Sequence, residues 1–224
     1  MTDTTSSFPV PAPAVVSSAA TSLASAFGGG GDDAPLRVAV IVGSNREGRF
    51  GPTVAEWLLA RVRERSDLTV DVVDLAEVDL PTSLSFRPST AVSTELAKVT
   101  PKLAAADAFI VLTPEYNHSY PASLKSVIDW HKGEWQAKPV AFVSYCGLSG
   151  GLRAVEHLRP VFAELHTVTI RDTVSFHNAG ALFDDAGRHR DPAAADAAAK
   201  AMLDQVAWWG WALRKAKADR PYGS

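Results

Sequence analysis

The sequence is poor in cysteine and lacks any long apolar run. Its single cysteine, Cys146, can form neither an intramolecular disulfide nor a thiolate-rich metal site, and we expect it to be a small packing residue. One cysteine is compatible with a reducing compartment, so we expect a soluble cytoplasmic protein. No apolar run approaches the roughly 18 residues that a membrane-spanning helix needs. The six histidines are scattered without metal-ligand spacing, so no metal site is expected.

Basic residues are absent from the first 36 positions. This segment contains three acidic residues, Asp3, Asp32 and Asp33, whereas the whole chain contains 22 Lys and Arg against 25 Asp and Glu. The formal net charge of −3 therefore belongs to the N-terminal segment, and the remaining residues are formally neutral. A neutral body excludes a polybasic protein that binds nucleic acid or a membrane surface, and also a strongly acidic carrier that docks on basic partners.

The N-terminal segment differs in composition from the rest of the chain. Residues 1–35 are rich in Ser, Thr, Ala, Pro and Gly, which bury too little apolar surface to offset the entropy of ordering. Residues 14–27 are mildly apolar, but the lack of a basic segment before them disfavours an export signal. We therefore expect a flexible extension over residues 1–35 and one domain, with one well-buried core, over residues 36–218.

Strand and helix patterns alternate along the body. Continuous apolar segments, typical of strands covered on both faces of a parallel sheet, predict five strands at residues 36–42, 69–75, 108–113, 138–145 and 167–170. Between the strands, apolar residues recur at helical spacing, as at Val54, Trp57 and Leu58. The alternation predicts an α/β fold with a doubly wound five-stranded parallel sheet and right-handed crossovers.

Prolines mark expected helix boundaries. Asp191 and Pro192 form an N-cap and first-turn pair before the last helix. Pro101 predicts a break or restart of a helix after Thr100, and Pro160 predicts a kink in the helix before the fifth strand.

Three loops follow the carboxyl ends of the first, third and fourth strands, where ligands bind in doubly wound sheets. The first loop, residues 43–51 (GSNREGRFG), brings Arg46 and Arg49 to a helix N-terminus and so predicts an anion site. It has neither the Gly-Lys-Ser/Thr of a Walker loop nor the GxGxxG dinucleotide pattern. The alternative is a capped loop with solvated arginines.

The other two loops suit a flat heterocycle. Residues 113–130 (TPEYNHSYPASLKSVIDW) have Pro114 and Pro121 around a small polar stretch, which leaves backbone N–H and C=O groups to meet the edges of a ring. Residues 144–154 (SYCGLSGGLRA) contain three glycines that let the backbone approach a ligand closely. The alternative for residues 113–130 is a rigid connector in which the tyrosines simply pack. The glycine-containing loop, taken alone, is weak evidence for a ligand site.

Together the three loops resemble those of the NAD(P)H-dependent FMN reductases of the flavodoxin-like fold, a group that includes bacterial quinone, chromate and azo-dye reductases. The most specific signature is TPEYNHSYPASLKSVIDW, with a Pro-Glu-Tyr-Asn core followed by Leu-Lys and Ile-Asp-Trp. The Gly-Ser-x-Arg start and the Ser-Gly-Gly-x-Arg-Ala stretch agree in order and spacing, and the resemblance runs from about residue 37 to about residue 215. It implies the strand order 2-1-3-4-5.

The resemblance also implies the residues of an FMN site. The phosphate would be bound at the first helix N-terminus by Ser44 and Arg46. The isoalloxazine ring would lie against Pro114, Glu115, Tyr116 and Asn117. The other side of the ring would be bordered by Ser144, Gly147, Gly150 and Gly151.

The sequence departs from the family pattern in the first loop and at one rim position. The family usually continues this loop with a Ser and then an Asn, where this chain has Arg49 and Gly51. Two neutral phosphate donors are therefore missing, and a charge-assisted contact from Arg49 can replace them. His118 stands where a second Tyr is common, which we interpret as a tolerated change at the rim.

The function that the resemblance implies is that of an FMN-dependent NAD(P)H oxidoreductase. NADPH or NADH would reduce FMN, and the flavin would reduce quinone-like, flavin or other small acceptors. The cofactor carries this chemistry, so no catalytic side chain is assigned, and we expect no nucleic-acid or membrane partner. The resemblance and the cluster of Trp208, Trp209 and Trp211 predict a homodimer or homotetramer, with a covering loop or the extension as the alternative.

Two other functions remain open. One is a flavodoxin-like electron carrier without its own reductase activity. It is disfavoured because such carriers have a Thr/Ser-rich first loop and a strongly acidic surface, unlike the GSNREGR segment and the neutral body of this chain. The other is a flavin-free descendant that serves as a scaffold or regulator.

Overall fold

A five-stranded parallel sheet organises the part of the chain that the computed structural model describes, residues 34–223. The strands are β1 (Leu36–Val42), β2 (Leu68–Asp74), β3 (Ala108–Pro114), β4 (Pro139–Tyr145) and β5 (Val168–Phe176). All neighbouring pairs are parallel, and the order is 2-1-3-4-5. This confirms the predicted α/β doubly wound, flavodoxin-like sheet. Nearly all of the predicted extension, residues 1–35, lies outside the described residues.

Helices connect the strands and close the chain. They are α1 (Gly51–Arg63), α2 (Thr90–Ala105), α3 (Ala122–Trp130), α4 (Leu152–Glu164), α5 (Ala179–Leu182) and α6 (Ala193–Asp219). The last helix has Pro192, and not the predicted Asp191, at its N-cap position. Within residues 34–223, no helix is long and apolar enough to cross a membrane.

The sheet carries a core on each of its faces. In β1, Val38 and Val40 pack in a cluster with residues of α1 and α6, whereas Ala39 and Ile41 pack in a second cluster with residues of α2, α3 and α4. All four side chains are fully buried. The strands read as continuous apolar runs because helices cover both faces.

Pro101 does not break its helix. α2 runs without interruption through this proline, so the predicted break after Thr100 is wrong. Val99 and Leu103, on either side of the proline, are fully buried. Their packing holds the turn in place despite the hydrogen bond that proline cannot donate. α4 likewise continues through Pro160, where the predicted kink stays a prediction.

β5 is longer than the apolar pattern predicts. It continues past residue 170 to Phe176, and its pairing with β4 shifts register in this stretch. Arg159 of α4 donates to the carbonyl oxygen of Ile170 (2.9 Å), and Gln205 of α6 exchanges two hydrogen bonds with Asp172. Side chains of α4 and α6 therefore support a strand segment whose polar residues give no apolar pattern in the sequence.

Lys138 is a buried cation immediately before β4, with 7% of its surface exposed. Its Nζ donates to the carbonyl oxygens of Leu103 (2.8 Å) and Ala104 (3.1 Å) in the last turn of α2. It also lies 5.3 Å from the centre of the Phe109 ring. Burial lowers the pKa of Lys138 to about 8, and repulsion from Lys217 adds to the shift.

We expect the free energy of unfolding to rise between pH 8 and about pH 9.5 by about 1.5 kcal/mol more in the wild-type protein than in a Lys138→Met variant. Across this window the folded protein releases the Lys138 proton, because its pKa there is about 8. The unfolded chain, with the ordinary lysine pKa of 10.5, still holds it, so raising the pH favours the folded state. Urea unfolding of both proteins at the two pH values measures the difference. The same change in the free energy of unfolding in both proteins would contradict a lowered pKa of Lys138.

Candidate functional site

A cavity of about 510 Å³ opens at the carboxyl ends of the strands. Its wall comes from the loops after β1, β3 and β4 and from the segment after β5. The wall residues are Arg46, Arg49, Phe50, Pro114, Glu115, Tyr116, Tyr145, Cys146, Gly147 and residues 178–181. The three loops that were predicted to act together thus meet at one cavity. Its volume lies in the range of sites for small molecules and cofactors.

Arg46 is an exposed cation just before α1. Its guanidinium lies 5.6 Å from the centre of the Tyr116 ring, and within residues 34–223 it has no carboxylate partner. α1 begins after Phe50 without a side-chain cap, and no acidic residue occupies its first turn. The helix N-terminus and Arg46 therefore leave positive charge available to an anionic ligand.

Arg49 lies in the cavity wall but is already paired. Its Nη1 donates to the carbonyl oxygen of Ser44 (2.8 Å), and its two terminal nitrogens form a bidentate ion pair with Asp74 at the end of β2 (Nη2–Oδ2 2.6 Å). The two side chains are 17% and 21% exposed. The hydrogen bond to Asp74 holds the pKa of Arg49 above its ordinary value. Because the pair is neutral, Arg49 adds no net charge to the cavity.

Ser44 is fully buried at the start of the first loop. The hydroxyl of Tyr145 donates to its Oγ (3.1 Å). Burial raises the pKa of Tyr145 to about 12, so this hydroxyl stays protonated near neutral pH and remains a donor. A Cβ on Gly51 would come within 2.6 Å of Ser44 Oγ and 3.0 Å of the Tyr145 hydroxyl oxygen. The hydrogen-bonded pair therefore fills the space that a larger residue at position 51 would need.

Glu115 joins the second loop to α4. Its side chain is 5% exposed, and its Oε1 lies 3.1 Å from Nε of Arg153. Its Oε2 accepts the backbone N–H of Arg153 (3.2 Å). The carboxylate thus satisfies an N-terminal donor of a helix whose own N-cap residue, Gly151, has no side chain. The predicted contact of Glu115 with a ring stays a prediction, and its carboxylate is engaged by α4.

A left-handed turn follows Tyr116. Asn117 and His118 have φ angles of +48° and +73°, and two backbone hydrogen bonds between Tyr116 and Ser119 (2.8 and 3.1 Å) close the turn. Asparagine is among the residues that tolerate this conformation best. Asn117 is exposed and is not part of the cavity wall, so in this structure it shapes the loop.

The third loop contributes Cys146 and Gly147 to the cavity wall, whereas Ser144, Gly150 and Gly151 are not part of it. The buried Ser144 hydroxyl donates to the carbonyl oxygen of Gly150 (2.8 Å), and the two glycines have φ angles of +61° and +84°. These residues fix the course of the loop. The Cys146 thiol donates to the carbonyl oxygen of Glu115 in the second loop (3.6 Å), and its expected role as a packing residue stays a prediction.

Residues 178–181 form a fourth part of the wall that was not predicted from the sequence. Three further wall residues were also not predicted, namely Phe50, Tyr145 and Cys146. The Asn178 N–H donates to the carbonyl of Gly147 (2.7 Å), which ties this segment to the third loop. The available signal is an Asn-Ala-Gly sequence after β5, since Asn178 adopts the φ of +50° that suits a turn. The predicted strand ended too early to place this turn at the cavity.

The cavity wall combines positive charge with flat and open surfaces. Arg46 and the α1 N-terminus supply positive charge, and Pro114 and Tyr116 supply flat contact surface. A Cβ on Gly147 or Gly180 would meet no protein atom within 4 Å, so both positions leave open space. Such a wall suits an anionic group joined to a flat ring system. FMN, which has a phosphate and an isoalloxazine ring, fits this set of groups.

One protein family matches well over half of this chain. The family described as NADPH-dependent FMN reductase matches residues 36–181, a range that includes all three loops.

Two curated relatives extend this comparison. An NAD(P)H-dependent FMN reductase of Schizosaccharomyces pombe is 37% identical over 122 residues, which cover 51% of this chain and 60% of the relative. An FMN-dependent NADPH-azoreductase of Staphylococcus haemolyticus is 30% identical over 176 residues, which cover 75% of this chain and 91% of the relative. The chain thus spans less than two thirds of the first relative and nearly all of the second.

Among solved structures, the chain is similar to FerB, a flavoenzyme NAD(P)H:(acceptor) oxidoreductase from Paracoccus denitrificans. The TM-score is 0.62 at 22% identity, and the match covers 78% of this chain and 97% of that chain. At this level of identity, the likeness shows the shared fold.

Proposed function

Since this chain belongs to the NADPH-dependent FMN reductase family, we propose that it is an FMN-dependent NAD(P)H oxidoreductase whose cavity holds FMN. The observation that carries this proposal is the convergence of three loops on one cavity. At its edge lie an arginine that has no carboxylate partner among the described residues and a helix N-terminus without a side-chain cap. An electron carrier without its own reductase activity is disfavoured, because the matched family and both relatives are named as reductases.

Arg46 and the N–H groups in the first turn of α1 would bind the flavin phosphate. Ser44 is fully buried outside the cavity wall, so it would shape the phosphate loop through the hydrogen bond that its Oγ accepts from Tyr145. The ring would be bordered by Pro114, Tyr116 and Gly147. The other predicted residues would shape the loops that hold it, and these are Glu115, Asn117, Ser144, Gly150 and Gly151.

Bound FMN supplies the redox chemistry, since a flavin takes hydride from a nicotinamide and passes electrons to an acceptor. The chain's own residues position the cofactor. Arg46 compensates the phosphate charge, and backbone N–H groups of the second and third loops offer donors to the polar edge of the ring. Glu115 and Arg49 in the wall are both ion-paired, so we assign no acid or base to the cavity.

The acceptors that we propose are quinone-like compounds, flavins and other small, flat molecules, with NADPH or NADH as the electron donor. We also propose a cytoplasmic homodimer or homotetramer. Trp208 is 44% exposed, and Leu84, Phe86 and Leu148 are exposed as well. Exposed apolar side chains of this size support association of subunits.

The visible spectrum of the purified protein tests this function. We expect a flavin, identified as FMN after release, whose spectrum bleaches when NADPH or NADH is added without oxygen. We also expect steady consumption of the nicotinamide when a quinone is added without any partner protein. An electron carrier would show no such steady consumption. A colourless protein that takes up no added FMN would contradict the proposal and favour a flavin-free scaffold.

A further inference from the structure

Asp74 lies behind the cavity wall and is ion-paired with Arg49, which is part of that wall. Its carboxylate accepts hydrogen bonds from both terminal nitrogens of Arg49 and from the backbone N–H of Ala76 (3.0 Å). Asp74 is therefore anchored on two sides. Its negative charge is fixed beside one of the two cations of the wall.

The two arginine charges of the cavity wall are unevenly compensated. Arg46 has no carboxylate partner within residues 34–223, whereas Asp74 neutralises Arg49. Glu47 is exposed on the first loop and Glu77 acts on Arg49 from a distance, but neither is ion-paired with either arginine among the described residues. A phosphate monoester carries about −1.5 to −2 charges near neutral pH. It would therefore meet a wall with an excess of one arginine charge.

We propose that Asp74 sets the affinity of this site for the flavin phosphate by neutralising Arg49 and so limiting the net charge of the wall. This inference rests on the proposed function. Arg49 keeps a donor, because its Nε–H has no acceptor within residues 34–223. It therefore contributes a hydrogen bond to the phosphate without a net charge.

Asp74→Asn removes the charge and keeps an oxygen that accepts from Arg49 and Ala76. The variant should bind FMN about fivefold more tightly than the wild-type protein, because an uncompensated cation then lies near the phosphate. Its FMN affinity should also fall more steeply as ionic strength rises. Its affinity for riboflavin, which has no phosphate, should not change. Quenching of flavin fluorescence by the apoprotein measures both affinities.

Asp71→Asn is the matched control. Asp71 lies on the same strand, pairs with Arg37 (2.8 Å) and is not part of the cavity wall. The control makes the same chemical change away from the site, so its FMN affinity should equal that of the wild-type protein.

A second pair of variants keeps the test informative if Asp74→Asn folds poorly, as judged by circular dichroism. Arg49→Ala leaves an unpaired Asp74 near the phosphate, so FMN binding should weaken about fivefold or more. Removing the carboxylate as well, in Arg49→Ala/Asp74→Asn, should recover the part of the FMN affinity that the unpaired carboxylate costs, while the hydrogen bond from Arg49 stays lost.

Unchanged or weaker FMN binding by a folded Asp74→Asn variant would overturn the role of Asp74. An equal gain for riboflavin, or no recovery in the double variant, would overturn it too. A wild-type protein that binds no FMN would instead refute the proposed function, and the two failures are therefore distinguishable.

Discussion

Replacing Gly151 with alanine should lower the free energy of unfolding by about 3 kcal/mol. Gly151 has a φ of +84°, a left-handed conformation that costs a residue with a side chain about 1–2 kcal/mol. The added Cβ would also lie 2.7 Å from Cβ of Ser144 and 3.0 Å from the backbone nitrogen of Tyr145. Both neighbours are buried residues of β4, so the strand itself would have to move, and overpacking of this kind adds about 1–3 kcal/mol.

Gly147→Ala provides the matched control in the same loop. A Cβ at Gly147 would meet no protein atom within 4 Å, and this residue does not have a positive φ. The control should keep its stability within about 0.5 kcal/mol, yet weaken flavin binding because its methyl group enters the cavity. Urea unfolding and flavin titration of both variants separate the two effects. A Gly151→Ala protein with the unfolding midpoint of the wild type would contradict the tight left-handed turn.

The sheet could be predicted from the sequence because both of its faces are covered. Val40 and Ile41 are neighbours in the chain but belong to opposite cores, so β1 reads as an unbroken apolar run. The last part of β5 has no such apolar pattern, since it contains polar residues such as Asp172. The partner of Asp172 is Gln205 of α6, 33 positions away, so the contact that supports this segment does not show in the local sequence. The predicted helix break at Pro101 was wrong for a related reason. Local rules describe the proline, whereas tertiary packing of its neighbours decides whether the helix continues.

The meeting of the loops could also be predicted, since the carboxyl ends of parallel strands lie at one edge of the sheet. The net charge of the site could not be predicted from the sequence. The partner of Arg49 is Asp74, 25 positions later at the end of β2, and the hydrogen bond between Ser44 and Tyr145 joins residues 101 positions apart. The residue pattern predicts that two arginines meet an anion, but only the fold shows that one of them is already neutralised.

Replacing Arg46 with alanine should weaken FMN binding about tenfold to a hundredfold. Arg46 has no ion-pair partner within residues 34–223, and it stands before a helix that has no side-chain cap. A hydrogen bond to a charged group contributes about 1.5–3 kcal/mol, and each 1.4 kcal/mol corresponds to about a tenfold change in affinity. Riboflavin binding should change little. Turnover of the fraction that retains FMN should also change little, because the redox chemistry belongs to the flavin.

Two further variants show which property of Arg46 matters. Arg46→Lys keeps the charge but loses the planar group that lies over Tyr116, so it should recover most of the FMN affinity if the phosphate is the target. Arg63→Ala removes an exposed arginine from the far end of α1, where it pairs with Glu56, and should leave FMN binding unchanged. If Arg46→Ala lost riboflavin and FMN affinity equally, the contact with Tyr116 would be the important one. If it bound FMN as tightly as the wild-type protein, Arg46 would not be a phosphate ligand, and the N-terminus of α1 and Arg49 would have to hold that group.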